Sequence, residues 1–138
     1  MISFDFTGKA VLITGGSKGL GAGVADAFIA AGATVDIIGL EADTPQTALE
    51  MGARRGIACD IADLGAVREM ADEASEIDIL INNAGLELIT PIADPDPDVD
   101  ARFRRITEIN VIGTFSVIRA LLPKLRDGGK IVNTASLW

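Results

Sequence analysis

Between positions 9 and 23 the chain reads Lys-Ala-Val-Leu-Ile-Thr-Gly-Gly-Ser-Lys-Gly-Leu-Gly-Ala-Gly, an apolar run that stops at a cluster of glycines and passes into a helical pattern. The run at 10–13 is too short for a helix and ends against Gly15 and Gly16, whereas Leu20, Val24, Phe28 and Ala31 recur at helical spacing. The order predicted is strand, glycine turn, helix. A helix that starts inside such a turn aims bare backbone N–H groups, and the positive end of its dipole, at whatever lies above it, which makes a phosphate site. Taken alone, Gly15, Gly16, Gly19, Gly21 and Gly23 serve equally well as a tight turn with a close helix–strand contact and no ligand.

Composition narrows the partners. The 138 residues suit one domain with one core. Lys and Arg number 12 against 20 Asp and Glu, a net charge of −8, which argues against nucleic acid or an anionic membrane as partner. An anionic ligand therefore has to be held locally. An apolar fraction of 49% excludes disorder, and no apolar run approaches the roughly 20 residues that span a bilayer. The opening Met-Ile-Ser-Phe-Asp-Phe lacks the basic start, long apolar stretch and cleavage site of a secretory signal, so the expected location is cytoplasmic. Cys59 is the single cysteine and reads as a small buried hydrophobe. With no His and no Tyr, imidazole metal sites and acid–base chemistry resting on either side chain are excluded, and no metal is expected.

Past the first helix, expected to end near Gly32, residues 34–40 predict a buried second strand in which Asp36 is the one charge to explain. Thr44 and Pro45 suit an N-cap and first helical position, and Gly52 a C-terminal stop, for a short second helix. Residues 56–59 predict a third strand, Asp63 caps a third helix carrying Leu64, Val67, Ala71 and Ala74 at helical spacing, and residues 77–81 predict a fourth strand. Residues 90–100, with three prolines and four aspartates, form a surface loop. The helix that follows, from about 101 to 125, carries Ile106, Ile109, Gly113, Val117 and Leu121 on one face and is bent or ended by Pro123. Gly128 and Gly129 make the turn out, residues 130–134 predict a fifth strand, and the sequence runs to Trp138. Five apolar strands alternating with helices, without a hairpin signal, predict an α/β fold: a three-layer, doubly wound parallel sheet. Ligands in such sheets sit beyond the carboxyl ends of the strands where the strand order reverses, and the opening glycine turn falls there.

Glu41 trails Gly21 by 20 positions, the spacing of an acid that grips an adenosine ribose. No Gly-Lys-Ser or Gly-Lys-Thr follows the turn, which excludes a Walker-type phosphate loop. Three further stretches fall just past predicted strands: Asp60-Ile61, Asn82-Asn83-Ala84-Gly85 and Thr134-Ala135-Ser136. With them the sequence resembles the short-chain dehydrogenase/reductase family, whose opening Thr-Gly-x-x-x-Gly-x-Gly stands here at positions 14–21 and whose Asn-Asn-Ala-Gly stands at 82–85. The resemblance runs from about residue 7 to residue 136. It implies a Rossmann sheet that binds NAD or NADP, and hydride transfer between the nicotinamide and an alcohol or ketone carbon.

By that resemblance Gly15, Ser17, Lys18, Gly19, Leu20 and Gly21 wrap the pyrophosphate and adenosine ribose, Asp60 accepts from the adenine amino group, and Ile61 flanks the ring. Asn83, Ala84 and Gly85 lie along the cofactor near its nicotinamide ribose. Asn110 matches the family's catalytic asparagine, which holds a water of the proton relay; its place beside Ile106, Ile109 and Gly113 predicts burial with a specific partner. Ser136 matches the catalytic serine, which hydrogen-bonds the reacting oxygen. On the residues alone, Asp60 serves equally as a helix-approach cap, and Asn82 and Asn83 as structural ties.

The sequence departs from the family at its acid–base pair, a tyrosine and a lysine four positions later, both downstream of the serine. No tyrosine is present, and Lys124 and Lys130 precede Ser136. A positioned acid–base group contributes roughly 10² to 10⁴ in rate, so the 138-residue chain is expected to be catalytically poor or dead, truncated before the family's last strands. Residues 130–135 are then an exposed edge strand and the long helix keeps a bare face, from which self-association as a homo-oligomer, or poor solubility, is expected. The other reading of the same residues is a non-catalytic nucleotide-binding or interaction protein that uses its open sheet edge. Between cofactors NAD is favoured over NADP, because Glu41 and Asp43 repel a 2′-phosphate; against this stands Lys18, before the middle glycine as in many NADP-binding members. The family's usual acid position falls on Gly39 and its second basic position on Leu40. Residues 87–92 supply only one wall for a small alcohol or ketone substrate.

Overall fold

The computed structural model describes residues 2–136. β1 (Ala10–Thr14) is buried at every position, so both of its faces meet apolar layers, as in the centre of a parallel sheet. It is flanked in parallel by β2 (Thr34–Gly39), with Val11 opposite Val35 and Ile13 opposite Ile37. On its other side runs β4 (Ile77–Asn82), with Val11 opposite Ile79 and Ile13 opposite Ile81. β3 (Arg55–Ala58) lies outside β2 and β5 (Leu125–Asn133) outside β4, giving the all-parallel order β3-β2-β1-β4-β5. This is the doubly wound Rossmann arrangement expected from the strand–helix alternation. Its switch point lies between β1 and β4.

Alternate strand residues feed two cores. On one face α1 (Gly19–Ala30) and α2 (Thr44–Met51) bury Ala25 and Ala48 against Val11, Ile13, Val35 and Ile37. On the other, α3 (Leu64–Glu73) and the last part of the long helical run place Val67, Met70, Val117 and Leu121 against Leu12, Ile38, Ile57 and Leu80. Each fully buried Leu or Ile contributes about 2 kcal/mol, so these two layers hold the strand ends that carry the site. The one charge within β2, Asp36, is wholly buried and is neutralised by Arg54 and Arg55.

Local details depart from the sequence expectations for identifiable reasons. Thr44 begins α2 rather than capping it: Asp43 is the flanking residue, and the Thr44 hydroxyl donates to the Glu41 carbonyl at 2.6 Å. Asp63 does cap α3, accepting from the Gly65 and Ala66 amides at 2.8 and 3.1 Å. Leu20 does not join the inner face of α1; it is 69% exposed, because the close approach to the sheet is made by Gly21 and Ala25. The long helix is not uniform. α4 (Val99–Thr107) passes into a π turn at Glu108–Gly113, then into α5 (Thr114–Leu121), and Pro123 falls in a 3₁₀ turn at Leu122–Lys124. β5 starts at Leu125 rather than 130. Leu125 lies opposite Ile77 and Lys130 opposite Ile79, so Gly128 and Gly129 form a bulge inside the strand instead of a turn ahead of it. The helical run Val99–Lys124 is, by length and composition alone, long and apolar enough to cross a membrane, contrary to the expectation from the bare sequence; here Val117 and Leu121 are buried in the sheet core.

Candidate functional site

Beyond Thr14 the chain turns through Gly15 at φ +66° and Gly19 at φ +56°, backbone that residues with side chains rarely adopt. The turn is also tight. A Cβ on Gly15 would lie 2.9 Å from the Ala84 Cα, and one on Gly21 would strike the Gly15 carbonyl. α1 therefore starts close under the ends of β1 and β4, with Lys18 extended at its N-cap and no side chain capping its first amides. Those N–H groups and the helix dipole make a place for an anion.

Hydrogen bonds fasten the turn to β4. Thr14 Oγ1 accepts from the amides of Asn83 and Ala84, each at 3.1 Å, and Asn83 Nδ2 donates to the Gly15 carbonyl at 3.3 Å. Asn82 Nδ2 donates to Asn133 Oδ1 at 2.8 Å, and the Thr134 hydroxyl to Asn83 Oδ1 at 3.5 Å, which joins β5 to the same end of the sheet. Asn82 is thus a tie between strands.

A cavity of about 310 Å³ opens above the turn, between the ends of β1, β2 and β4. Gly15, Ser17, Lys18, Glu41, Asp60, Ile61, Asn83, Ala84 and Gly85 all line it. Gly19, Leu20 and Gly21 do not. Gly21 is buried against the Gly15 carbonyl beneath the turn, and Leu20 is exposed. Apolar walls come from Ile38, Leu40, Cys59 and Leu86, at or just past strand ends, and from Ile109 on the long helix, none of which the sequence motifs placed at the cavity.

Charge at the mouth is paired. Glu41 forms an ion pair with Lys18 and accepts from the Ser17 hydroxyl at 3.1 Å. The Lys18 ammonium, above all, holds the Glu41 carboxyl below the usual glutamate range. Gly39, at the family's usual acid position, has no room for a side chain, since a Cβ there would lie 2.5 Å from Thr44 Oγ1 and 2.7 Å from Ser17 Oγ. The acid enters two residues later instead. Asp60 accepts from the Ala62 amide at 2.9 Å and from the Arg105 guanidinium at 3.0 Å. Partial burial pushes its carboxyl up, but the Ala62 amide and Arg105 outweigh it and the group sits below the usual aspartate range. Asp60 is therefore a local cap and a cavity wall at once. Burial, followed by the nearby carboxylates, pushes the Cys59 thiol up to about 11, which suits an inert buried hydrophobe.

A second cavity, of about 650 Å³, shares residues 83–86 with the first. Asn110 and Ser136 both line it. Asn110 has the specific partner expected but not the burial: its Oδ1 accepts from the Leu86 amide at 2.8 Å and its Nδ2 donates to the Leu86 carbonyl at 2.9 Å, while the residue is exposed. It stands within the π turn, which sets it at the cavity rim rather than on the inner face with Val117 and Leu121. Among the described residues there is no group of three or more His, Cys, Asp or Glu side chains that could hold a metal ion.

A model of the short chain dehydrogenase family matches residues 9–138. The chain belongs to the short-chain dehydrogenase/reductase family. The D-threitol dehydrogenase of Mycolicibacterium smegmatis is 37% identical to it over 149 residues, an alignment covering 98% of this chain and 56% of that protein. The chain spans about half the length of the curated relatives it matches. Among solved short-chain dehydrogenase/reductase structures, the glucose/ribitol dehydrogenase from Brucella melitensis superposes with a TM-score of 0.88 at 27% identity, covering 99% of this chain and 60% of that one. The Pseudomonas aeruginosa RhlG/NADP active-site complex does so with a TM-score of 0.82 at 28% identity, covering 96% and 55%. The chain thus has the Rossmann sheet of an oxidoreductase family that binds NAD(P).

Proposed function

We propose that the chain holds an NAD-type dinucleotide along the cleft above β1 and β4 and presents its nicotinamide end to a small alcohol or ketone in the adjoining cavity. The observation that carries this reading is convergence. Residues as far apart as Gly15, Glu41, Asp60 and Gly85 line one cavity, and Asn110 and Ser136 line its neighbour. The positive φ at Gly15 and the uncapped start of α1 fit a pyrophosphate. In this reading Ser17, Lys18 and Glu41 meet the adenosine ribose, with Gly19, Leu20 and Gly21 giving backbone. Asp60 accepts from the adenine amino group against Ile61, and Asn83, Ala84 and Gly85 follow the nicotinamide ribose. The cofactor, when bound, supplies the hydride chemistry. Ser136 hydrogen-bonds the substrate oxygen, and Asn110 orders the cavity wall by gripping Leu86. As the chain holds neither Tyr nor His, these 138 residues bind and orient more than they transfer protons.

NAD is the preferred cofactor in this proposal. The Glu41 carboxylate accepts from a ribose 2′-hydroxyl and repels a 2′-phosphate, and its ion pair already neutralises Lys18. Fluorescence titration with NADH and NADPH tests both levels. Tighter NADH binding is expected. Tighter NADPH binding, lost in Lys18→Ala, overturns the preference, and failure to bind either dinucleotide overturns the cofactor reading itself.

A further inference from the structure

Arg105 closes the last turn of α4, 45 residues along the chain from Asp60, and its NH2 group donates to Asp60 Oδ2 at 3.0 Å. The other oxygen, Oδ1, takes the Ala62 amide at 2.9 Å. A carboxylate offers about four lone-pair sites, so one is engaged on each oxygen and the rest are left for the cavity that Asp60 lines. Glu108, at 3.7 Å on the other side of the guanidinium, helps to hold Arg105 in place. The same helical run also supports the neighbouring wall: a Cβ on Gly113 would lie 2.9 Å from Ile61 Cγ1, so Ile61 rests directly on the helix. The loop bearing Asp60 and Ile61 is therefore seated on the long helix at two points, and only the Arg105 contact fixes a polar group.

We propose that Arg105 is a positioning residue for the adenine end of the cleft, orienting Asp60 so that its free lone pairs face the exocyclic amine of the purine. This rests on the cofactor reading above. The chemistry makes the consequence one of selectivity. A carboxylate only accepts hydrogen bonds, so a correctly aimed Asp60 favours a 6-amino purine and disfavours a 6-oxo purine, which presents a carbonyl at that position. Once Arg105 is removed, the Ala62 amide still holds Oδ1 but nothing on α4 fixes Oδ2, and the distinction fades.

Titrating the full chain with NADH and with reduced nicotinamide hypoxanthine dinucleotide, which differs at that purine position, tests the assignment. The unmodified chain is expected to bind NADH more tightly. Arg105→Ala is expected to weaken NADH roughly three- to tenfold while changing the hypoxanthine analogue by less than about twofold, and Arg105→Lys to restore part of the preference. In an Asp60→Asn background, adding Arg105→Ala is expected to change NADH binding no further. Equal weakening of both dinucleotides by Arg105→Ala, or none, overturns the role of Arg105. Should that variant not fold, Arg105→Gln carries the same comparison. An unmodified chain that binds neither dinucleotide overturns the cofactor reading, a different outcome from normal NADH binding unaffected at position 105.

Discussion

Arg54 grips Asp36 with two side-by-side hydrogen bonds, Nε to Oδ1 at 2.8 Å and NH2 to Oδ2 at 2.6 Å. Asp36 is 0% exposed in β2, and its other cationic contact is Arg55 at 3.4 Å. Removing one partner of a buried pair typically costs about 3–5 kcal/mol, and here the remaining Arg55 and the partial exposure of Arg54 soften the loss. Arg54→Ala is therefore expected to destabilise the chain by about 2 kcal/mol. A lower urea midpoint at unchanged slope is the readout, and an unmoved midpoint would mean that the carboxylate is solvated without Arg54.

Two glycines in the first turns of α1 make opposite predictions. A Cβ on Gly21 would collide with the Gly15 carbonyl and lie 2.6 Å from Asn83 Nδ2, whereas one on Gly23 meets nothing within 4 Å. Gly21→Ala is expected to cost about 1–3 kcal/mol or more and to abolish dinucleotide binding. Gly23→Ala is expected to raise stability by about 0.5–1 kcal/mol. Thermal melts that rank the two the other way would contradict the packing at this helix start.

In the proposed cofactor reading, the Lys18–Glu41 ion pair sets the preference for NAD. Glu41→Gln frees the ammonium and removes the charge that repels a 2′-phosphate. The ratio of NADPH to NADH affinity is expected to rise about tenfold in this variant, a shift of ~1.4 kcal/mol. Parallel changes in both dissociation constants would show that the pair does not discriminate.

Asp78 Oδ2 accepts from the Ala10 amide at 2.8 Å and from Arg126 at 2.9 Å, with Lys9 3.7 Å from Oδ1. The Ala10 amide, foremost, and these cations hold the carboxyl below the usual aspartate range. A depressed carboxyl contributes stability that is fully present above the unfolded value near ~4 and is lost as pH falls through the native one. Asp78→Asn is expected to flatten the fall in stability below about pH 4. An unchanged acid slope in chemical denaturation would assign that fall to other carboxylates.

Among the described residues β5 pairs only with β4, and Ile131 and Val132 on it are 37% and 49% exposed. Val111, Ile112 and Phe115 add exposed apolar surface on the helix. The 138-residue chain is expected to associate with itself as concentration rises, and Val132→Lys to weaken that association. Light scattering from a clean monomer at high concentration would count against it.

Much of this was legible in the chain. β1 through β4 announced themselves because short apolar runs end near glycine, aspartate or, for β4, asparagine, and Asp63 caps α3 as its position implies. Convergence on the two adjoining cavities followed from topology, since the glycine turn, Asp60-Ile61, residues 83–85 and residues 134–136 each sit just past a strand. Other features had no local signal. The π turn around Asn110 arises from one extra residue in a helical ring, and Ile109, Asn110 and Gly113 fit an α pattern as well. The Gly128-Gly129 bulge looks like a turn until the register with Ile77 and Ile79 is known. Arg105 could not be matched to Asp60 from spacing, because the helix that brings them together is set by the sheet.

The bonds that Thr14 Oγ1 accepts from Asn83 and Ala84 span 69 and 70 positions. Contacts of that separation form late, because the loop-closure entropy of everything between must be met first. The glycine turn thus sets only after the chain some 70 positions further on has folded back against it. Until β4 is made and docked, the glycine turn has no Asn83 to brace it and no Ala84 to close against, so under the proposed cofactor reading the phosphate cradle is incomplete until residue 84 is in place.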